Sequence, residues 1–284
     1  MNAAAPGSPA PRIPDFPRFV EVAAPDDWRT IDFISDLHLS EATPRAVEAL
    51  EHYLRSTPAE AVWILGDLFE VWVGDDAREG RFERHCVELL AEAACRRSIH
   101  FMHGNRDFLV GHAMVRACGM TALADPTVLV AFGQRLLVTH GDALCIADTD
   151  YQAFRLQVRS DGWQRSFLER TLAARRQIAR EMREKSRARH RQRRGDFADV
   201  DPAAAVKWLH LAGARTLLHG HTHRPSHEVL APGFERLVLS DWCLEPDAPG
   251  ERRAEALRWT ADGFVRVAIG AAAPPLEMAS PQPT

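Results

Sequence analysis

The sequence predicts an α/β fold whose functional site lies at the carboxyl edge of a sheet. Three observations predict it. Apolar runs of strand length alternate with segments of helical period over most of the chain. Five of those apolar runs end in Asp, His or Asn, the position where open α/β sheets carry their ligands. One stretch, 151–195, breaks the rhythm with helical spacing alone and a strong positive charge.

A chain of 284 residues, 46% hydrophobic and 26% charged, can bury a substantial core as a globular domain. No apolar run approaches the roughly 20 residues that span a bilayer. The five cysteines (86, 95, 118, 145, 243) are odd in number and lack CxxC spacing, so they read as reduced cytosolic thiols. Residues 1–29 carry repeated prolines, Asp15, Glu21, Asp26 and Asp27, with no stretch of signal-peptide type. They read as a mobile Pro-rich extension with one short apolar contact at Phe19-Val20. The ordered domain is expected over 30–270, with 271–284 as a loose tail.

The elements follow in order. Thr30–Ser35 is a short strand delivering Asp36-Leu37-His38. Residues 44–56 have helical spacing through Val47, Leu50 and Leu54, and Pro58 ends them. Ala61–Leu65 reads as a fully buried strand running into Gly66-Asp67. A helix over 81–97 carries Phe82, Cys86, Leu89, Leu90 and Ala93 on one stripe. Ile99–Met102 delivers His103-Gly104-Asn105-Arg106-Asp107. A hairpin over 127–132 and 135–139 delivers His140-Gly141-Asp142.

Residues 151–195 predict two or three helices with no strand between them. A short helix begins at Asp201-Pro202, and the strand Arg215–Leu218 opens into His219-Gly220-His221-Thr222-His223. A strand at Arg236–Leu239 and a hairpin over 256–269, turning at Ala261-Asp262-Gly263, complete the chain.

The five strand ends collect Asp36, His38, Asp67, Asn105, His140, His221 and His223. Extended backbone would aim Asp36 with His38, and His221 with His223, to one side. Two-metal phosphoester hydrolysis needs a bridging carboxylate and cations about 3.5–4 Å apart. Seven ligands fill two such sites and leave room for water and substrate, and Asp67, at the end of the most buried strand, is the natural bridge. Imidazole, carboxylate and amide oxygen together favour Mn²⁺, with Fe²⁺, Co²⁺ and Zn²⁺ as alternatives. No cysteine joins them, which argues against structural zinc.

Residues 151–195 hold 14 Lys+Arg against 4 Asp+Glu, a net of +10 in a chain whose total is −4. Trp163, Phe167, Leu168 and Leu172 could line an apolar site there, and a solvated basic cover over the core is the alternative. Nucleic acid is not expected, because the aromatics sit at helical core spacing rather than on an open stacking platform.

DLHL, GDLFE, GNRD, THGD and GHTHRP, in this order and spacing, resemble the motifs of the calcineurin-like metallophosphoesterases. Most of that superfamily has a histidine where Arg106 stands. GNRDF together with a basic helical insertion closely resembles the branch that cleaves the pyrophosphate of UDP-2,3-diacylglucosamine in lipid A biosynthesis, giving UMP and 2,3-diacylglucosamine 1-phosphate. The resemblance covers about 30–270. It implies an αββα sandwich with 151–200 as a helical lid. It also implies two Mn²⁺ per chain, one on Asp36, His38, Asp67 and His223, the other on Asp67, Asn105, His140 and His221.

Catalytic roles would fall to Asp67, Asn105, Arg106 and His140. Substrate contacts would come from Asn105, Arg106, Asp148, Ser186, His190, Arg193 and His221. The family has Asn and Lys where this chain has His190 and Arg193; Arg193 keeps the cation with another geometry. A peripheral place at the cytoplasmic face of the inner membrane is implied, with no obligate protein partner.

Overall fold

The computed structural model describes residues 17–192, 198–247 and 251–270, without the side chains of 185–192. The first half runs β1 (Val20–Ala23), β2 (Ile31–Ile34), α1 (Pro44–Ser56), β3 (Ala61–Leu65), α2 (Arg81–Ala94), β4 (Ser98–Met102), α3 (His112–Ala117), β5 (Thr121–Leu123), β6 (Thr127–Ala131) and β7 (Gln134–Thr139). Then come α4 (Thr149–Val158), α5 (Asp161–Leu168), α6 (Leu172–Gln192), α7 (Pro202–Ala212), β8 (Thr216–His219), β9 (Ser226–Ala231), β10 (Phe234–Val238), β11 (Glu255–Thr260) and β12 (Gly263–Ala268).

Among the described residues the strands form two six-stranded sheets, in the orders β1-β6-β7-β8-β10-β9 and β12-β11-β2-β3-β4-β5. Alternation along the strands decides what each face meets. Phe33, Trp63 and Leu65 of one sheet pack against Leu129, Leu136, Val138 and Leu218 of the other, forming a core between the sheets. Ile34, Val62, Ile64 and Phe101 point the opposite way, onto α1, α2 and α3. Val128, Leu137 and Leu217 do the same for α7 on the outer face of the first sheet. Helix, sheet, sheet, helix: this is the αββα sandwich.

Local chemistry sets the helix boundaries. α1 starts with Pro44 in its first turn, where the missing N–H costs nothing. The Asp201 carboxylate accepts the Ala204 N–H to cap α7, and Gly213 closes that helix at φ 61°. Val20–Ala23, read from the sequence as part of the extension, belong to the first sheet, where β1 pairs parallel with β6, and Phe19 just before it packs edge-on against Trp208 at 6.0 Å. Residues 1–16 and 271–284 lie outside the described residues.

The three helices α4–α6 follow β7 with no strand between them, as expected. They are bolted down by buried contacts rather than laid over the surface. Phe167 is 5% exposed in the core, stacked on Trp163 at 4.8 Å, while Leu168 remains 42% exposed. The proposed apolar site is therefore partly core. Arg175, 3% exposed, forms an ion pair with Asp76 and donates to the Val73 carbonyl.

One polar cluster buttresses the second sheet. Asp32, fully buried, accepts from Tyr53 Oη (2.9 Å), Thr57 Oγ1 (2.6 Å) and Arg258 Nε (2.8 Å). Asp32→Ala strands these three donors, so a loss of about 3 kcal/mol is expected, the lower end for a broken buried pair because Arg258 keeps some solvent. Urea unfolding of the variant checks it, and an unchanged midpoint would make the cluster dispensable.

Candidate metal centre

The seven expected ligands come together. Asp36 and His38 follow β2, Asp67 follows β3, Asn105 follows β4, His140 follows β7, and His221 and His223 follow β8. The first three strands are parallel neighbours in one sheet and the last two in the other. The centre therefore sits where the carboxyl ends of both sheets meet.

The backbone reaches it differently from the sequence expectation. Asp36, His38, Asp67, His221 and His223 are not extended but left-handed, with φ of 55°, 50°, 53°, 65° and 54°. Such conformations cost a non-glycine residue about 1–3 kcal/mol each and persist where the surroundings over-determine them. As a result His221 and His223 diverge. His221 Nδ1 lies 2.8 Å from Asn105 Oδ1, whereas His223 Nε2 lies 3.2 Å from Asp36 Oδ1. Two glycines permit the close approach of the loops: a Cβ on Gly104 would collide with the Asp67 carboxylate, and one on Gly220 with Ser35 Oγ and Asp36 Oδ2.

Two groups of donor atoms result. Those of Asp36, His38 and His223 lie within 4.8 Å of one another, and so do those of Asp36, Asp67 and His140. His38 Nε2 and His223 Nε2 are 3.2 Å apart. Asp67 faces both ways, with Oδ2 4.0 Å from His38 Nε2 and Oδ1 3.7 Å from His140 Nε2. Asn105 Oδ1 lies 2.9 Å from His140 Nε2. Asp36 has only Oδ1 to offer, because Oδ2 accepts from Ser35 Oγ (2.7 Å) and the His221 N–H (2.8 Å).

Electrostatics agree with a cation site. Asp36 and Asp67 are 0% and 1% exposed, and buried charges need compensation. Burial works against ionisation of Asp36, but the imidazoles of His223, His140 and His38 outweigh it and hold its carboxyl well below the usual range. Burial likewise opposes a proton on His140, yet Asp67, Asp36 and Asp142 raise its pKa to about 9. His38 goes the other way, lowered by burial to about 4, and His221 is lowered by burial and by His140 to about 3. The carboxylates thus draw positive charge to this point, while burial keeps the imidazoles of His38 and His221 neutral. Imidazole, carboxylate and amide oxygen converging in a buried negative field fit a divalent first-row cation.

Arg106 borders the group. Its N–H donates to Asp67 Oδ1 (2.8 Å), its Nε lies 3.9 Å from Asp67 Oδ2, and that buried Nε has no hydrogen-bond partner. Asp107 acts from behind, accepting the N–H groups of Leu68 (2.8 Å) and Gly104 (2.8 Å) and so tying two ligand loops together.

Among the expected substrate contacts, Asp148 caps α4 by accepting the Tyr151 N–H at 3.2 Å. The side chains of Ser186 and His190, and all of Arg193, lie outside the described residues. Sequence reasoning missed Asp142, which binds the helical segment to the site. Fully buried, it accepts from Tyr151 Oη (2.6 Å) and Arg155 Nε (2.8 Å), and the Tyr151 ring stacks on His221 at 6.0 Å. The Asp in THGD was visible; its partners were not.

Comparison with known proteins follows the same lines. The family profile described as Calcineurin-like phosphoesterase matches residues 29–225. A protein of Xanthomonas oryzae pv. oryzae is 42% identical over 243 residues, 81% of this chain and 95% of its own length. One of Pseudomonas aeruginosa is 41% identical over 233 residues, 78% of this chain and 97% of its own. A third, of Cellvibrio japonicus, is 40% identical over 228 residues, 77% and 95%. All three are named UDP-2,3-diacylglucosamine hydrolase.

Proposed function

The chain belongs to the calcineurin-like phosphoesterases, and from that premise we propose that it hydrolyses the pyrophosphate of UDP-2,3-diacylglucosamine, releasing UMP and 2,3-diacylglucosamine 1-phosphate for lipid A biosynthesis. The observation that carries the reading is the convergence of five strand-end loops on one buried donor set with Arg106 at its border. The names of the relatives support the substrate.

In this reading Asp36, His38, Asp67 and His223 hold one Mn²⁺, and Asp67, Asn105, His140 and His221 hold the second. The two-sided placement of Asp67 between His38 and His140 supports its bridging role. When bound, the two cations polarise the phosphoryl oxygens and lower the pKa of the attacking water. The chain's own residues do the rest. Arg106 places its guanidinium where negative charge grows on the phosphoryl oxygens, with Nε available as a donor. His140 is held by its Nδ1, 2.9 Å from the Leu65 carbonyl oxygen, so its Nε2 stays turned inward. The leaving group is itself a phosphate and departs without a protonated acid, which is why arginine can occupy the place of histidine.

The helical segment α4–α6 is assigned as the lid, with substrate contacts at Asp148, Ser186, His190 and Arg193. Its exposed Phe154, Leu156 and Leu168 beside a surplus of arginine suit an anionic lipid surface, where each cation contributes about 1 kcal/mol. That supports peripheral association with the cytoplasmic face of the inner membrane. No helix of the described residues is long and apolar enough to cross a membrane.

The test is UMP release from UDP-2,3-diacylglucosamine with Mn²⁺ and then EDTA, beside UDP-N-acetylglucosamine. Metal-dependent release from the lipid alone is expected. Equal release from both would reduce the helical segment to a cover, and release from neither would refute the substrate.

A further inference from the structure

Behind the His38 and His223 half of the centre stands a repeated device. His38 has Nε2 facing the donor group, and its buried Nδ1, which makes no hydrogen bond among the described residues, lies 3.3 Å from Glu70 Oε2. Glu70 is in turn gripped by Arg183 of α6, which pairs with its carboxylate and donates from Nη1 to its backbone carbonyl at 3.0 Å. His223 repeats the pattern. Its Nδ1 lies 3.6 Å from Asp241 Oδ2, and Arg253 donates from Nε to Asp241 Oδ1 at 2.8 Å and from Nη2 to the His223 carbonyl at 2.9 Å.

Among the described residues, His140, in the other half, has the Leu65 carbonyl as the hydrogen-bond partner of its Nδ1. The Nδ1 atoms of His38 and His223 therefore each face an arginine-clamped carboxylate, whereas that of His140 faces a neutral backbone oxygen.

The backbone puts Glu70 in place. Its N–H donates to the Leu39 carbonyl (3.0 Å), Leu39 donates to Leu68 (2.9 Å) and His38 to Asp67 (3.0 Å), so the loops 36–39 and 67–70 run as a short parallel pair. Glu70 thus stands beside His38 by main-chain register, not by side-chain chance. Asp241 is fixed similarly, since Trp242 donates its N–H to the Asp36 carbonyl at 3.1 Å. At 3.3 and 3.6 Å neither carboxylate is hydrogen-bonded to its ring, so each acts through its charge, which favours a proton on Nδ1 and leaves the Nε2 lone pair for the metal.

We infer that Glu70 with Arg183, and Asp241 with Arg253, are positioning pairs that hold His38 and His223 for the same metal ion. Through them that ion's affinity depends on α6 and on the segment after β10. The inference rests on the two-metal reading above and deepens it.

The experiment is a Mn²⁺ titration of the metal-stripped full chain by calorimetry, without substrate, for wild type, Glu70→Met, Glu70→Gln, Asp241→Leu and Asp241→Asn. Melting temperatures of the stripped proteins are measured alongside. Met and Leu fill the space but delete the acceptor; Gln and Asn keep an oxygen there. Wild type is expected to bind two Mn²⁺. Glu70→Met and Asp241→Leu should each weaken one of the two by about 10–100-fold and leave the other unchanged. Glu70→Gln and Asp241→Asn should lose less, with stripped-protein melting the same within each pair.

Wild-type affinity at both sites in the Met and Leu variants would overturn the inference. Equal loss in both members of each pair would overturn it too, by pointing to packing. Wild type that binds no Mn²⁺ would instead overturn the metal reading on which it rests.

Discussion

Asp67→Asn is expected to abolish turnover, by at least about a thousandfold, and to weaken both metals together. The substitution preserves size and the left-handed backbone at φ 53°, since Asn tolerates that conformation as Asp does. It removes the charge and one acceptor. Both carboxylate oxygens are committed, Oδ1 towards His140 and the Arg106 N–H, Oδ2 towards His38 and the Arg106 side chain. An amide can serve only one of those two sides as an acceptor. Asp36 cannot replace it, because it spends Oδ2 on Ser35 and His221. The measurement is kcat at saturating Mn²⁺ together with bound metal per chain. Full activity at normal metal content would remove Asp67 from the bridging position.

The donor set was legible in the sequence because each member ends an apolar run, and such ends converge in an α/β fold by construction. Helix 44–56 and strand 61–65 appear with the bounds that periodicity and Pro58 imply. Other elements left too faint a trace. β1 offers four residues amid prolines, and the six-residue α3 is too short for a helical period to show. β9, whose Glu228 and Val229 are both exposed, lacks a clean alternation of buried and exposed residues. These segments are held by their neighbours, so nothing local announces them.

The same distinction runs through the site. The candidate ligands sit within motifs a few residues long, whereas what orients them is tertiary. Arg183 reaches Glu70 across 113 positions and Arg159 reaches the Gly104 carbonyl across 55. The left-handed turns were hidden as well. Asp and His are permitted such φ values but not required to adopt them, and it is the collision waiting at Gly104 and Gly220 that shows how tightly the loops are drawn together.

Arg106→Ala tests the other half of the chemistry, and here turnover should fall about 10²–10³-fold with both metals retained. In the proposed reading Arg106 acts on substrate rather than on the cations. Its side chain is 28% exposed, its Nε has no hydrogen-bond partner among the described residues, and it lies 3.9 Å from Asp67 Oδ2. Removing it leaves every expected metal ligand untouched but withdraws a cation from the point where phosphoryl charge grows, so the loss should appear in kcat more than in KM. Arg106→Lys should recover part of the rate, since it restores the charge but not the planar fork that two phosphoryl oxygens can share. Steady-state kinetics on UDP-2,3-diacylglucosamine with metal counts on the same samples decide it, and an unchanged kcat would exclude Arg106 from the reaction. A histidine at this position could lend a proton to a poor leaving group; an arginine cannot. The chain's choice of arginine is therefore itself a statement about substrate, suited to a leaving group that is already a stable anion.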